Sequence, residues 1–216
     1  DGGRMRAVVV ILLMLAGLPA VAGPWPRDRG AVFLSFGGLA GAQHGEVLAY
    51  GEYGLGRGWT IGFDGAVGRF GGGRGMLLAS RALARPDAAN RLSLELGMGS
   101  YVQPGGRADT VLRGGLAFGR GFGGRLPGWF RLDVLGEWRS GAAAVKTDAM
   151  VGLRPTERIK AMVQLQGDWP AGGGTLYVVP SVAWQVRRGL DVELGGRIGL
   201  VGAKETGLRL VTWISF

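Results

Sequence analysis

From residue 31 to the last residue, the chain repeats one pattern. Stretches of about ten residues alternate apolar with polar or small side chains, and Gly-, Pro- or charge-rich breaks separate them. Period-two alternation of this kind marks strands with one apolar face. Twelve strands are predicted, over 31–39, 46–55, 59–69, 76–83, 91–102, 110–119, 129–139, 143–153, 158–168, 175–186, 190–200 and 206–216. In 91–102, Leu92, Leu94, Leu96 and Met98 oppose Arg91, Ser93, Glu95, Gly97 and Gly99. In 129–139, Phe130, Leu132, Val134 and Trp138 oppose Arg131, Asp133, Glu137 and Arg139. Two segments resist the pattern. Residues 76–83 permit either phase, and Pro180 inside 175–186 forfeits a ladder hydrogen bond, so a bulge or a locally broken pair is expected there.

Alternation alone also fits a soluble sandwich or a lipocalin-like barrel. The composition of the polar face separates these readings. A soluble sheet covers its outer face with Lys, Glu, Thr and Ser; here that face carries glycines and isolated Arg, Asp and Glu, in a chain with 44 Gly among 216 residues. Small residues suit a narrow, crowded lumen, and isolated charges can pair across it. At the N-terminus, Met5-Arg6 precedes a short apolar run, and Ala20-Val-Ala22 supplies small residues for cleavage before Gly23. Residues 1–22 are therefore expected to be a signal peptide, with 1–4 a possible upstream extension, and 23–216 the mature domain.

The final segment, Thr206-Gly-Leu-Arg-Leu-Val-Thr-Trp-Ile-Ser-Phe216, puts Leu208, Leu210, Thr212, Ile214 and Phe216 on one face. It resembles the C-terminal signal of bacterial (Gram-negative) outer-membrane β-barrel proteins. Glu52-Tyr-Gly-Leu-Gly-Arg-Gly-Trp59 and Gly152-Leu-Arg-Pro-Thr-Glu-Arg158 similarly look like periplasmic hairpins of such proteins. The resemblance implies an all-β fold, a closed antiparallel up-and-down transmembrane β-barrel of about twelve strands. It also implies export to the outer membrane, contact with lipid and lipopolysaccharide, and Phe216 as the signal read by the barrel-assembly machinery. Lipid offers the backbone no hydrogen-bond partners, so strand 31–39 must pair with strand 206–216. An even strand count puts both termini in the periplasm, and every connection on the extracellular side is short. Tyr53, Trp59, Phe118, Trp129, Phe130, Trp184 and Phe216 near one rim and Phe36, Trp138 and Trp169 near the other are expected at the membrane–water interfaces.

Charge and chemistry narrow the function further. The chain has 25 basic and 16 acidic residues, no Cys and one His. Its basic residues are scattered singly over many strands, which points to lipopolysaccharide and away from nucleic acid. Arg69, on the apolar phase near the outer rim, is placed to reach a lipopolysaccharide phosphate. No disulfide, cysteine-ligated metal or EF-hand spacing is present, and no cofactor is expected. Gly119-Arg-Gly-Phe-Gly-Gly124 matches G-x-G-x-x-G, but it joins two strands where a dinucleotide site needs a helix. A rim lipid hydrolase would draw on His44, with Ser35 or Ser80 as partner by location; neither serine stands in a recognisable motif, and no enzyme is expected.

The inward phase carries the candidate site: Glu52, Asp64, Glu95, Arg113, Arg131, Asp133, Glu137, Arg139, Lys146, Asp148, Lys160, Asp168, Asp191, Glu193, Arg197 and Arg209. One reading is a pore wall passing small polar solutes. The other is a salt-bridged, occluded lumen in a structural or accessory barrel. Mixed signs argue against strong ion selectivity.

Overall fold

The computed structural model describes residues 23–42, 45–85, 87–202 and 205–216. The expected signal peptide, residues 1–22, and His44 lie outside the described residues. Twelve strands form: β1 (Val32–Gly41), β2 (Gly45–Gly56), β3 (Trp59–Gly68), β4 (Gly73–Ala82), β5 (Asn90–Val102), β6 (Ala108–Phe122), β7 (Gly128–Arg139), β8 (Ala142–Leu153), β9 (Ile159–Pro170), β10 (Thr175–Arg187), β11 (Leu190–Val201) and β12 (Thr206–Ser215). No helix among the described residues is long and apolar enough to cross a membrane.

Each strand pairs antiparallel with its sequence neighbours, and β1 pairs with β12 to close the sheet. The closing register runs from Phe33 opposite Ser215 to Gly41 opposite Gly207. Val32 and Phe216 extend the seam by exchanging backbone bonds of 2.7 and 3.1 Å. Closure leaves no free sheet edge. Both described ends of the chain lie at one mouth, here the terminal mouth. At the opposite, hairpin mouth the longest connection is 103–107, so no loop is long enough to fold over the opening. Two of the tight turns show why they form. Arg57 and Gly58 have φ of 54° and 79°, and Ser140 and Gly141 have 43° and 89°. Positive φ at both central residues is the type I′ geometry that matches the twist of a two-residue hairpin.

The two faces differ in chemistry. Val47, Leu77, Leu96, Leu194 and Leu208 on the outer wall are each more than half exposed, whereas Val211, Ala183 and Glu137 on the inner wall are buried. An outer wall of this kind is matched to hydrocarbon. The ambiguous segment 76–83 belongs to a strand that starts earlier, at Gly73. Met76 and Leu78 point inward and Leu77 outward. Met76 and Leu78 pack there with Val111, Tyr50 and Tyr101, and this inner apolar cluster sets the phase. Pro180 keeps its pairing with Val163 of β9. On the β11 side the ladder breaks between Val178–Ile198 and Ser181–Gly195 without a change of register. The missing proline N–H is thus absorbed as a broken pair, not a bulge. Trp129 departs from the interfacial placement expected for it: it is buried inside the barrel against Met162 and Ala183. Its neighbour Phe130 takes the outer position, in contact with Phe118.

Gly37 sits at the closing seam, where an added Cβ would lie 2.3 Å from the Leu210 carbonyl oxygen and 2.7 Å from Val211 Cα. Gly37→Leu is expected to destabilise the barrel by about 2–3 kcal/mol through overpacking. Gly75→Ala, where a Cβ meets nothing within 4 Å, should be near neutral. Urea unfolding midpoints in micelles, and the compact band seen before heating on gels, check both.

Candidate functional site: a charged lumen

Strands position the inward charges at every second residue, and glycines between them keep the wall thin enough for long side chains to lie along it. Arg113 of β6 is the hub, with its side chain 7 % exposed. Its Nε and Nη2 donate to Glu137 Oε1 at 2.9 and 2.7 Å, and its Nη1 lies 3.3 Å from Asp64 Oδ2 and 3.7 Å from Glu95 Oε1. Asp64 also accepts from Arg74 at 3.0 Å. The other oxygen of Glu137 takes Arg139 at 3.1 Å and Lys146 at 3.3 Å, and Lys146 reaches on to Asp168 at 3.9 Å. Eight residues on seven strands, from β3 to β9, thus form one alternating network.

The remaining candidates form smaller groups. Arg131 holds Asp133 at 2.8 Å and Asp148 at 3.6 Å, and Asp148 also accepts from Gln164. Lys160 donates to Asp191 at 2.7 Å and lies over the Trp213 ring. Arg209 pairs with Glu193 at 3.3 Å. Arg197 stacks on Tyr177 with its guanidinium carbon 4.2 Å from the ring centre. Glu52 accepts from Tyr50 at 2.6 Å and from Arg27 at 2.5 Å. Most of these pairs join residues of one strand or of adjacent strands. They follow the wall more than they span the bore.

The two halves of the lumen differ. Toward the hairpin mouth, a cavity of about 140 Å³ is bounded by Glu46, Arg74, Gln166, Arg197 and Arg209 with Leu39, Leu48 and Val179. Toward the terminal mouth, Trp129, Met162 and Ala183 pack with Trp25, Met150 and Trp213. Outside the spanning strands, Arg154 lies over the Trp129 ring at 5.6 Å, and burial holds its guanidinium below its ordinary value against the opposing pull of Asp191.

Some partners were not singled out from the sequence. Arg74 belongs to the network because β4 begins at Gly73, earlier than its alternation suggested. Arg27 precedes the first strand, where periodicity carries no information. Tyr50, Gln164 and Tyr177 are polar-capable residues on the inward phase, and a search restricted to charges passes over them. The described neighbours of His44, Ala42 and Gly45, lie at the hairpin mouth. Ser35 stands six residues down β1 from Gly41, and Ser80 seven residues down β4 from Gly73. At the rise of a strand these are separations of roughly 20 Å from that mouth. The fold therefore does not bring either serine to the rim that holds the histidine's neighbours. Arg69 lies exposed beyond the end of β3, with its guanidinium over Phe70.

No protein-family model matches the chain, and no curated protein matches it in sequence. Solved structures match in fold. The chain is similar to the KdgM porin, with a TM-score of 0.65 at 9% identity, covering 85% of this chain and 99% of that one. It is similar to the NanC porin, with a TM-score of 0.62 at 10% identity, covering 85% of this chain and 98% of that one. An outer-membrane channel from Pseudomonas putida F1 aligns with a TM-score of 0.62 at 10% identity, covering 88% of this chain and 96% of that one. Each is a likeness of barrel architecture.

The network makes Arg113 the costliest charge to remove. Arg113→Met leaves Asp64 and Glu137 short of their shared cation and is expected to cost about 3–5 kcal/mol. Arg107, 74% exposed beside Asp109, is the control: Arg107→Met should cost under about 1 kcal/mol. Denaturant unfolding in lipid vesicles distinguishes the two.

Proposed function

We propose that the chain is an outer-membrane pore of narrow bore that passes small polar solutes without coupling to chemistry. The observation that carries this reading is the inversion of the barrel: apolar side chains face out, and an acid–base network lines the inside. A barrel of twelve strands is wider than one filled by its own side chains and narrower than a general porin. Most of the ion pairs, Arg113–Asp64 and Lys160–Asp191 apart, stay within a strand or between neighbours, which favours a pore over a bridged, occluded lumen. The likeness to the KdgM porin supports the solute class, since one structure of that protein is of a complex with disordered oligogalacturonate. Residues 1–22 would direct export, Phe216 would be read by the barrel-assembly machinery, and Arg69 would meet lipopolysaccharide at the outer rim.

Both signs line the bore, so ion selectivity should be weak and easily biased. In planar bilayers the purified protein is expected to give discrete current steps. Arg74→Glu combined with Arg209→Glu should shift the reversal potential toward cations in a salt gradient. Absence of any current from folded protein contradicts the pore.

A further inference from the structure

The strands leave residues 23–31 unexplained, and these residues do not trail away from the barrel. Residues 23–27 lie inside its terminal mouth, and the exposed residues 28–30 pass Gly54 at its rim. Pro24 is fully buried, and it and Trp25 rest on the bare face of Gly119 in β6, where an added Cβ would lie 2.4 Å from Pro24 Cγ and 2.6 Å from the Trp25 ring. Gly23 is equally close to β7, its own added Cβ lying 2.7 Å from Arg131 Cδ. Trp25 packs on the Trp129, Met162 and Ala183 cluster, which Met150 and Trp213 complete from β8 and β12. Across the bore, the Arg27 backbone donates to Thr60 Oγ1 at 3.0 Å. The Arg27 guanidinium pairs with Glu52 and lies 4.6 Å from the centre of the Phe33 ring. Gly54 allows the chain to pass: any Cβ there would stand 1.9 Å from the Asp28 carbonyl oxygen.

We infer that residues 23–31 form a plug that shuts the terminal mouth of the pore, and that solute passes when the plug withdraws. The inference rests on the pore reading and adds a gate to it. The segment reaches from β2 and β3 to β6 and β7, and through Trp25 it meets the aromatic cluster, which continues the closure to β8 and β12. Its attachment suits removal. Pro24 and Pro26 have no N–H to give to a ladder. Backbone hydrogen bonds tie it to β2 only at its base, from Gly30 to Gly54 at 2.8 Å and from Gly54 to Ala31 at 3.0 Å. Gly30 has φ of 81° with nothing within 4 Å of an added Cβ, so the base is a swivel with room around it. A cavity of about 370 Å³ lies beside the segment, bounded in part by Pro26, Arg29, Arg57, Gly58 and Arg91. It gives the withdrawn chain somewhere to go. A segment with few backbone bonds and one ion pair belongs to the low-stability end of a fold, the part that opens first.

Single-channel recording in planar bilayers tests the plug on the exported, processed protein. A variant lacking residues 24–30 behind the same leader is expected to conduct in larger steps and to stay open several-fold longer than the unaltered chain. Trp25→Ala combined with Arg27→Ala should move the same way. The chain has no native Cys, so Arg27→Cys with Thr60→Cys gives a single defined tether. Oxidised, that pair should hold the channel shut, and a reductant should release it. Equal step size and open time with and without residues 24–30, or free conduction through the oxidised pair, overturns the plug and leaves the pore standing. No current from any of these proteins, all folded, overturns the pore and the plug with it.

Discussion

Backbone hydrogen bonding in a medium without water is the constraint on which everything else rests. An N–H or carbonyl left unpaired in hydrocarbon costs several kcal/mol, so a sheet that crosses a membrane must end on itself. Here β1 and β12 meet that demand from Gly207 to Ser215, and the backbone bonds between Val32 and Phe216 carry the seam past its last paired side chains. Closure fixes the rest of the geometry. With every second residue committed to the lipid side, the remaining half of each strand faces a confined interior. Polar and ionisable groups have no other place to go.

That interior balances its charges locally. Arg113 and Glu137 are nearly inaccessible, yet each has more than one counter-ion, and Lys146 and Arg139 extend the same alternation toward the hairpin mouth. Glycines such as Gly97 and Gly115 stand where a Cβ would strike Leu78 or Leu135, so backbone and neighbouring side chains occupy space that larger residues would take from the bore. The terminal half solves its packing differently, with Trp25, Trp129 and Trp213 packed beside ion pairs such as Lys160–Asp191. One barrel therefore carries a charged vestibule above an aromatic constriction.

Much of this was legible in the residues, for a physical reason. Alternation with period two is a local property, so strands such as 91–102 and 190–200 were readable without knowledge of their partners, and closure followed from solvation alone. Phase failed where two apolar residues adjoin. Leu77 and Leu78 carry no preference of their own, and the contacts of Met76 with Tyr50 and Val111 decide it. Trp129 illustrates a second limit. An aromatic residue near a strand end suits an interface as well as a crowded lumen, and the difference lies in Trp25, more than a hundred residues earlier in the chain. Pairings such as Arg113 with Asp64 depend on curvature across three strands and leave no mark in either sequence segment. Residues 23–31, with two prolines and no periodicity, offered no local rule at all.

The pore, its charged wall and its plug all presuppose that the alternating apolar side chains meet lipid while their neighbours meet water. Because the chain has no Cys, spin labels can be placed singly at Leu94, Glu95 and Leu96 of the protein in bilayers. Collision with oxygen, which partitions into lipid, and with a water-soluble nickel chelate then reports the surroundings of each position. This orientation of the barrel requires oxygen-dominated collision at 94 and 96 and chelate-dominated collision at 95. The opposite pattern, or equal access at all three positions, contradicts it.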